Sequence, residues 1–246
     1  MGLQTDFERQ GNFLFRWRSY LPILFIVPFT LAMFNMRWPL DSHRIHTYWE
    51  IICLCFSASG LCIRCIVVGY APAGTSGRNT ASQKAQVLNT TGLYGMVRHP
   101  LYLGNYLIGL GPTLLPMNWW LAAVFTLCFV IYYERIMFAE EKFLLSKFGE
   151  AFKEWATVTP AFVPRLTTWI TPSLPFSFRN VLRREYTAFL QITTAFFVVE
   201  ILGHLVVDQE LKLEPFWVGL AILGVIQYIV LRSLKRHTNL LYVKGR

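Results

Sequence analysis

The apolar residues of this chain fall in long uninterrupted blocks separated by polar segments, and not in the narrow periodic stripes of a soluble helix or strand. A helix that crosses a bilayer needs about 20 largely apolar residues, with a range of about 17–25. The six candidate blocks cover residues 20–36, 48–69, 101–116, 119–133, 188–207 and 215–231. The pattern predicts an all-α integral membrane protein with about six transmembrane helices.

The third and fourth blocks are short, and only Met117 and Asn118 separate them. This spacing predicts a tight helical hairpin. Its second arm is expected to continue as a helix into the polar segment 134–148, and Gly149 marks the expected end of that helix. The hairpin would therefore carry a helical extension out of the membrane.

Composition and charge support a membrane protein. Of the 246 residues, 54% are apolar and 15% are charged, whereas soluble domains contain about 25% charged residues. A net charge of +9 would suggest nucleic-acid binding in a soluble protein. Here a cytoplasmic N-terminus places 19 of the 23 Lys and Arg residues in cytoplasmic segments and three outside, which accounts for the charge without a nucleic-acid partner. Both termini are predicted to be cytoplasmic, in an inner or plasma membrane of bacterial type.

A first polar motif, Arg98-His99-Pro100-Leu101-Tyr102-Leu103-Gly104, stands at the start of the third block. Proline suits the first turn of a helix, whose free N–H groups favour an anionic ligand. Gly104 would let a ligand or another helix approach closely. The alternative is an interfacial Arg-His anchor before an ordinary transmembrane helix.

A second polar motif lies on the predicted extension of the hairpin, from Arg135 to the pair Glu140-Glu141. Helical spacing places each carboxylate on a face with apolar neighbours. A carboxylate in such surroundings beside a membrane is costly unless it is paired. The alternative is a solvated amphipathic helix with Glu–Lys pairs.

Together these motifs, followed by Phe148-Gly149 and the segment Thr159–Pro164, resemble the integral membrane methyltransferases. That family includes isoprenylcysteine carboxyl methyltransferase and the phospholipid methyltransferases. The resemblance covers residues 89–164, which would form the cofactor-binding core of a single membrane domain, 1–246. Residues 185–246 would add two C-terminal spans.

The resemblance implies S-adenosylmethionine as the methyl donor, a membrane lipid as the acceptor and an active site on the cytoplasmic side. The expected cofactor-binding residues are His99, Pro100, Tyr102, Leu103, Gly104 and Glu140, with Glu140 holding the ammonium group. The expected catalytic residues are Arg98, Arg135 and Glu141. The two arginines would brace the carboxylates or contact the acceptor, and Glu141 would be the near neighbour of Glu140.

A surplus of arginine near this region favours an anionic lipid head group, with a phosphate ahead of a carboxylate, because guanidinium matches phosphate with two parallel hydrogen bonds. Arg64 lies inside a span and Arg78 in a Gly-rich loop, so both are predicted to bind the substrate. Open alternatives are a snorkelling role for Arg64, carboxyl methylation of an isoprenylcysteine-like acceptor, and N-methylation of an aminophospholipid. An NADPH-dependent membrane reductase and a transporter are the rival classes, although charge at the cytoplasmic edge argues against transport.

Two further patterns lie outside the resemblance. Glu200 and His204 are four residues apart in the fifth block, and a polar pair that stabilises the helix bundle is predicted. The patterns Cys53-x-Cys55 and Cys62-x-x-Cys65 lie in an apolar helix, where packing is a better interpretation than metal binding. No metal site is predicted.

Overall fold

The structure, a computed structural model, describes residues 2–75 and 85–246. The described residues form eight α-helices. They are α1 (Leu3–Trp17), α2 (Ile26–Phe34), α3 (His43–Tyr70), α4 (Pro100–Leu114), α5 (Trp119–Phe148), α6 (Glu150–Val158), α7 (Phe178–Val207) and α8 (Pro215–His237). Short 3₁₀ turns lie at Leu21–Phe25, Pro39–Asp41 and Leu93–Gly95.

Four helices, α3, α5, α7 and α8, are long and apolar enough to cross a membrane, which agrees with the predicted all-α membrane class. The first predicted span is not one helix, because a 3₁₀ turn occupies Leu21–Phe25 and only α2 follows it. Pro28, in the first turn of α2, lacks the N–H that would donate to the carbonyl of Leu24, so the α-helical hydrogen-bond pattern cannot extend back across that position. With 15 residues, α4 is about 22 Å long, shorter than the hydrocarbon layer. The count of six spans stays a prediction.

The predicted hairpin and its extension are present. Helices α4 and α5 are joined by residues 115–118, where Met117 has a φ of 55°. Helix α5 continues without interruption to Phe148. Gly149 then adopts a φ of 53°, a conformation that favours glycine, and α6 starts at the next residue.

Small residues bring α3 and α4 together. A Cβ atom on Gly104 would lie 2.9 Å from the carbonyl oxygen of Gly60 and 2.7 Å from Cγ of Arg64, both on α3. About one turn away along both helices, Ser57 Oγ donates to the carbonyl of Ile108 at 2.9 Å. Close backbone contact of this kind is common between membrane helices. It places Arg64 beside the first turns of α4.

The segment after α6 returns along the loop before α4 and fixes its backbone. The amides of Arg98 and His99 donate to the carbonyls of Pro160 and Ala161, at 2.8 and 3.2 Å. The amide of Arg165 donates to the carbonyl of Met96 at 2.9 Å. The two motifs and the returning segment are therefore held at one end of the helix bundle.

Candidate active site

The first motif is folded around the start of α4. His99 is the N-cap residue and Pro100 occupies the first turn, as the sequence predicted. The side chain of His99 is buried, with 6% of the residue exposed. Tyr102 lies on the same side, with its ring stacked at 5.6 Å from that of His99. Both side chains face the two glutamates of α5.

Glu141 is the carboxylate of the pair with more hydrogen-bond donors around it. It accepts hydrogen bonds from Arg98 Nε at 2.8 Å and from His99 Nε2 at 2.9 Å. The same arginine donates through NH1 to the carbonyls of Ala156 and Thr159, at 2.7 and 2.9 Å. Arg98 and Glu141 thus connect the start of α4, α5 and the end of α6.

Glu140 has fewer close partners than Glu141. Its Oε2 accepts a hydrogen bond from the hydroxyl of Tyr102 at 2.9 Å, and His99 Nδ1 lies 3.6 Å away. The side chain is 31% exposed, against 5% for His99. A partly exposed carboxylate with few internal donors is suited to bind a cationic group of a ligand.

The two carboxylates also set the charge of His99. Burial alone would lower the pKa of the imidazole, but hydrogen bonds and negative charge from Glu140 and Glu141 outweigh it, so the pKa of His99 is raised. Both carboxylates therefore stabilise a positive charge on His99. The cluster combines two acidic and two basic side chains, which offers both signs of charge to a zwitterionic ligand.

A large cavity of about 1110 Å³ lies beside this cluster, lined by residues of α1 to α5 and α7. Its lining is predominantly apolar and aromatic. One end of the cavity is polar, where Arg64, Asn105 and Tyr133 contribute to the wall. An elongated apolar molecule with a polar end matches this distribution.

Two tyrosines connect the polar end of the cavity to the carboxylate cluster. Asn105 Nδ2 donates to the hydroxyl of Tyr133 at 3.3 Å, and the ring of Tyr133 lies 4.6 Å from that of Tyr102. Tyr102 in turn donates to Glu140. The cluster and the cavity are therefore neighbouring parts of one site.

Arg64 lies at the cavity, but its guanidinium already has partners. Nε and NH2 donate to the two carboxylate oxygens of Glu185 at 2.8 and 3.0 Å, and NH1 donates to Asn105 Oδ1. A phosphate would have to compete with Glu185 for the bidentate face of the guanidinium. Glu185 and Asn105 therefore fix the orientation of this guanidinium.

The other predicted site residues are placed as follows. Pro100 is buried in the first turn of α4 and Leu103 is half-buried on the same helix, while Gly104 faces α3. Arg135 is directed away from the cluster. It donates to Glu134 at 2.9 Å and to Gln10 at 3.2 Å, and its guanidinium lies 3.5 Å from the ring centroid of Phe7 on α1. Arg78 lies outside the described residues.

Gly104 contacts α3, and its expected cofactor role stays a prediction. The contacts of Arg135 are with Glu134 and α1, and not with the carboxylates that it was expected to brace. Gly104 serves the contact between α3 and α4, because its missing side chain is needed there. Arg135 serves the contact between α1 and α5, an association that the sequence analysis did not predict. Sequence reasoning also missed Asn105, Tyr133 and Glu185. Each had a signal in the sequence: Asn105 directly follows the first motif, Tyr133 shares a helical face with Glu140, and Glu185 directly follows Arg183-Arg184.

Comparison with known proteins agrees with the resemblance inferred from the motifs. Residues 51–151 match the family model for phospholipid methyltransferases. This segment contains α4, most of α3, all of α5 and both glutamates of the cluster. The resemblance to membrane methyltransferases is thereby confirmed. No solved structure matches the chain.

Three curated proteins align with about a third of the chain. The cobalt-zinc-cadmium resistance protein CzcN of Cupriavidus metallidurans is 39% identical over 89 residues, which are 36% of this chain and 41% of the relative. The nickel-cobalt-cadmium resistance protein NccN of Alcaligenes xylosoxydans xylosoxydans is 38% identical over 95 residues, 38% of this chain and 43% of the relative. The protein-S-isoprenylcysteine O-methyltransferase of Schizosaccharomyces pombe is 31% identical over 81 residues, 33% and 34% of the two chains. The aligned part is thus less than half of each relative.

Proposed function

We propose that this protein transfers a methyl group from S-adenosylmethionine to a lipid held in the membrane. The observation that carries the proposal is the contact between two features: the Arg98–His99–Glu140–Glu141 cluster and the apolar cavity that opens beside it. The match of residues 51–151 to phospholipid methyltransferases supports the same reaction class.

The charged groups of the cluster fit the donor. S-adenosylmethionine supplies an activated methyl group on a sulfonium, and it also carries an ammonium and a carboxylate. In the proposal Glu140 binds the ammonium, since it is the more available carboxylate. Arg98 provides positive charge on the same side, His99 adds to it when it is protonated, and Glu141 holds both of them in place.

The cavity would align the acceptor. Methyl transfer is a displacement in line with the bond that breaks, so the protein gains most from holding the acceptor atom and the methyl group at contact distance. An apolar wall excludes water from that contact. Residues Asn105 and Tyr133 lie where the polar end of a lipid would meet the donor.

An anionic head group, with phosphate ahead of carboxylate, stays the proposed acceptor, and Arg64 is its proposed recognition residue. Glu185 neutralises the guanidinium of Arg64, so a phosphate would have to displace this carboxylate in order to bind. An anionic acceptor needs no general base, whereas an amine does. If Arg64→Lys methylates the native lipid at the wild-type rate, an amine or a carboxyl acceptor replaces phosphate in the proposal.

Donor binding and cavity use are tested separately. Titration of the purified protein with S-adenosylmethionine and with NADPH distinguishes a methyltransferase from a reductase, and we expect saturable binding of the first alone. Ala195→Trp would fill the cavity wall and should abolish transfer while donor affinity is kept. Leu202→Trp, on the same helix and exposed, is the matched control. Equal transfer by both variants would exclude the cavity as the acceptor site.

The names of two relatives suggest a physiological setting. We propose that the reaction of this chain contributes to resistance against divalent metals, as those names state for CzcN and NccN. Expression in a metal-sensitive bacterial host should raise the zinc or cobalt concentration that the host tolerates, and Glu140→Gln should remove the effect. Unchanged tolerance with the wild-type protein, while methyl transfer is detectable in the host, would contradict this role.

A further inference from the structure

A second polar cluster lies at the opposite end of the bundle. His43, His46 and Glu50 project from the first turns of α3, and Glu200 and His204 from the last turns of α7. His46 and Arg64 are 18 residues apart on one helix, which is about 27 Å. The cluster is therefore separate from the proposed methyl-transfer site.

The cluster is buried and its polar atoms converge. His43 Nε2 lies 2.9 Å from Glu200 Oε1, and His204 Nε2 lies 3.3 Å from the same oxygen. His46 Nδ1 lies 3.3 Å from Glu50 Oε1. His46, Glu50, Glu200 and His204 are each at most 4% exposed. The predicted pair of Glu200 and His204 is thus present, as part of a larger group.

Outer partners fix the proton on two of the imidazoles. His46 Nε2 lies 3.0 Å from the carbonyl oxygen of Leu115, which can only accept, so Nε2 carries the proton. His204 Nδ1 lies 2.7 Å from Asp208 Oδ2, which holds the proton on Nδ1 in the same way. The remaining ring nitrogens, His46 Nδ1 and His204 Nε2, are buried and have no hydrogen-bond partner among the described residues.

Both remaining nitrogens face carboxylate oxygens. In neutral imidazoles each presents a lone pair to an acceptor, which is repulsive and costly in a buried site. A proton on each nitrogen or a metal cation between these atoms removes the conflict, and the convergence of three imidazoles and two carboxylates favours the metal cation. A histidine that binds a metal through one nitrogen and donates from the other to a carbonyl or carboxylate is a common arrangement in metal sites.

The ligand atoms lie close enough together to share one small divalent ion. One atom from each of His43, His46, Glu50 and Glu200 lies within 4.8 Å of all the others. Tetrahedral zinc has bonds of about 2.0–2.2 Å to such ligands, which separates the ligand atoms by about 3.3 Å. Imidazole and carboxylate ligands together suit zinc, cobalt or nickel better than soft or alkaline-earth ions.

We propose that His43, His46, Glu50 and Glu200 bind one divalent transition-metal ion of the zinc class, with His204 at the edge of the site. Trp217 Nε1 donates to Glu50 Oε2 at 3.2 Å and orients this ligand. Glu214 lies 3.7 Å from His204 Nε2 and its side chain is 39% exposed, so it marks a path from the surface. The proposal does not depend on the methyl-transfer reaction.

Zinc binding by the full-length protein tests the site. The tag-free protein is treated with EDTA, and zinc uptake is measured by competition with a chromophoric chelator. We expect one zinc ion per chain, and a loss of affinity of about 10-fold or more in His46→Gln and Glu200→Gln. His237→Gln, which removes an exposed histidine outside the cluster, and the double change Cys62→Ser with Cys65→Ser are the matched controls and should bind as the wild type does.

X-ray absorption on zinc bound to the wild-type protein keeps the test independent of variant folding. Nitrogen and oxygen neighbours at about 2.0–2.1 Å with histidine scattering are expected, and a sulfur shell at about 2.3 Å would overturn the proposal. Absence of zinc binding by the wild type would overturn it as well. So would unchanged zinc affinity in both cluster variants.

Discussion

Glu140 and Glu141 are adjacent, yet the structure predicts opposite consequences when each is changed to glutamine. Glu141→Gln should mainly lower stability, because Glu141 holds Arg98 and His99. Glu140→Gln should mainly weaken donor binding, because glutamine can still accept the hydrogen bond of Tyr102. The pair therefore separates a structural role from a binding role with the same chemical change.

The magnitudes follow from the contacts. Glu141 takes part in two charge-assisted interactions, each of about 1.5–3 kcal/mol before its 26% exposure is considered, so Glu141→Gln should cost about 2–4 kcal/mol of stability. Glu140→Gln should change stability by less than about 1 kcal/mol. Loss of its ion pair with the donor ammonium should lower the affinity for S-adenosylmethionine by about 10- to 150-fold.

Two measurements on the same detergent preparations decide the matter. Thermal unfolding reports stability, and calorimetric titration with S-adenosylmethionine reports donor affinity. Glu134→Gln, an exposed change on the same helix, is the control for both. Wild-type donor affinity in Glu140→Gln would remove this residue from the site, and wild-type stability in Glu141→Gln would refute the assignment of the two roles.

Three further predictions concern pH, packing and topology. The raised pKa of His99 means that its pairing stabilises the fold fully below about pH 6.5 and is lost as the pH rises through the folded-state pKa, so the wild type should lose thermal stability on alkalisation more steeply than His99→Gln; parallel profiles would contradict this. Gly104→Ala should cost about 1–3 kcal/mol because its Cβ would overlap α3, whereas Gly219→Ala, with open space around it, should be neutral; equal unfolding midpoints would refute the close contact. Reporter fusions should place Arg246 in the cytoplasm and Asn118 outside, and a cytoplasmic signal at Asn118 would exclude the predicted orientation.

The features that the sequence predicted well depend on local signals. The end of α5 follows from Gly149, which adopts a positive φ, and the start of α4 follows from Pro100 in its first turn. The meeting of His99 with Glu140 and Glu141 could be inferred because a tight hairpin must bring the start of one arm beside the end of the other. The change from a 3₁₀ turn to an α-helix in the first predicted span also has a local signal, Pro28, which the prediction from block length did not use.

The features that the sequence did not predict depend on which helix faces meet. Arg64 and Glu185 are 121 residues apart, and nothing in either apolar segment specifies that they pair. The histidines of α3 reach Glu200 only because α3 and α7 pack together at that end of the bundle. Apolar blocks of nearly uniform hydropathy do not encode helix rotation, since every face of a membrane helix is apolar.

The central claim is that the carboxylate cluster and the adjoining cavity form one site for methyl transfer to a lipid. Its most direct test uses purified protein reconstituted with a bacterial lipid extract, S-adenosylmethionine with a deuterated methyl group, and mass spectrometry of the lipids. We predict that one lipid class gains a single deuterated methyl group with the wild type and with Leu202→Trp, and that Glu140→Gln and Ala195→Trp each abolish the gain. A lipid extract without label, from a wild-type protein that binds the donor, would contradict the claim.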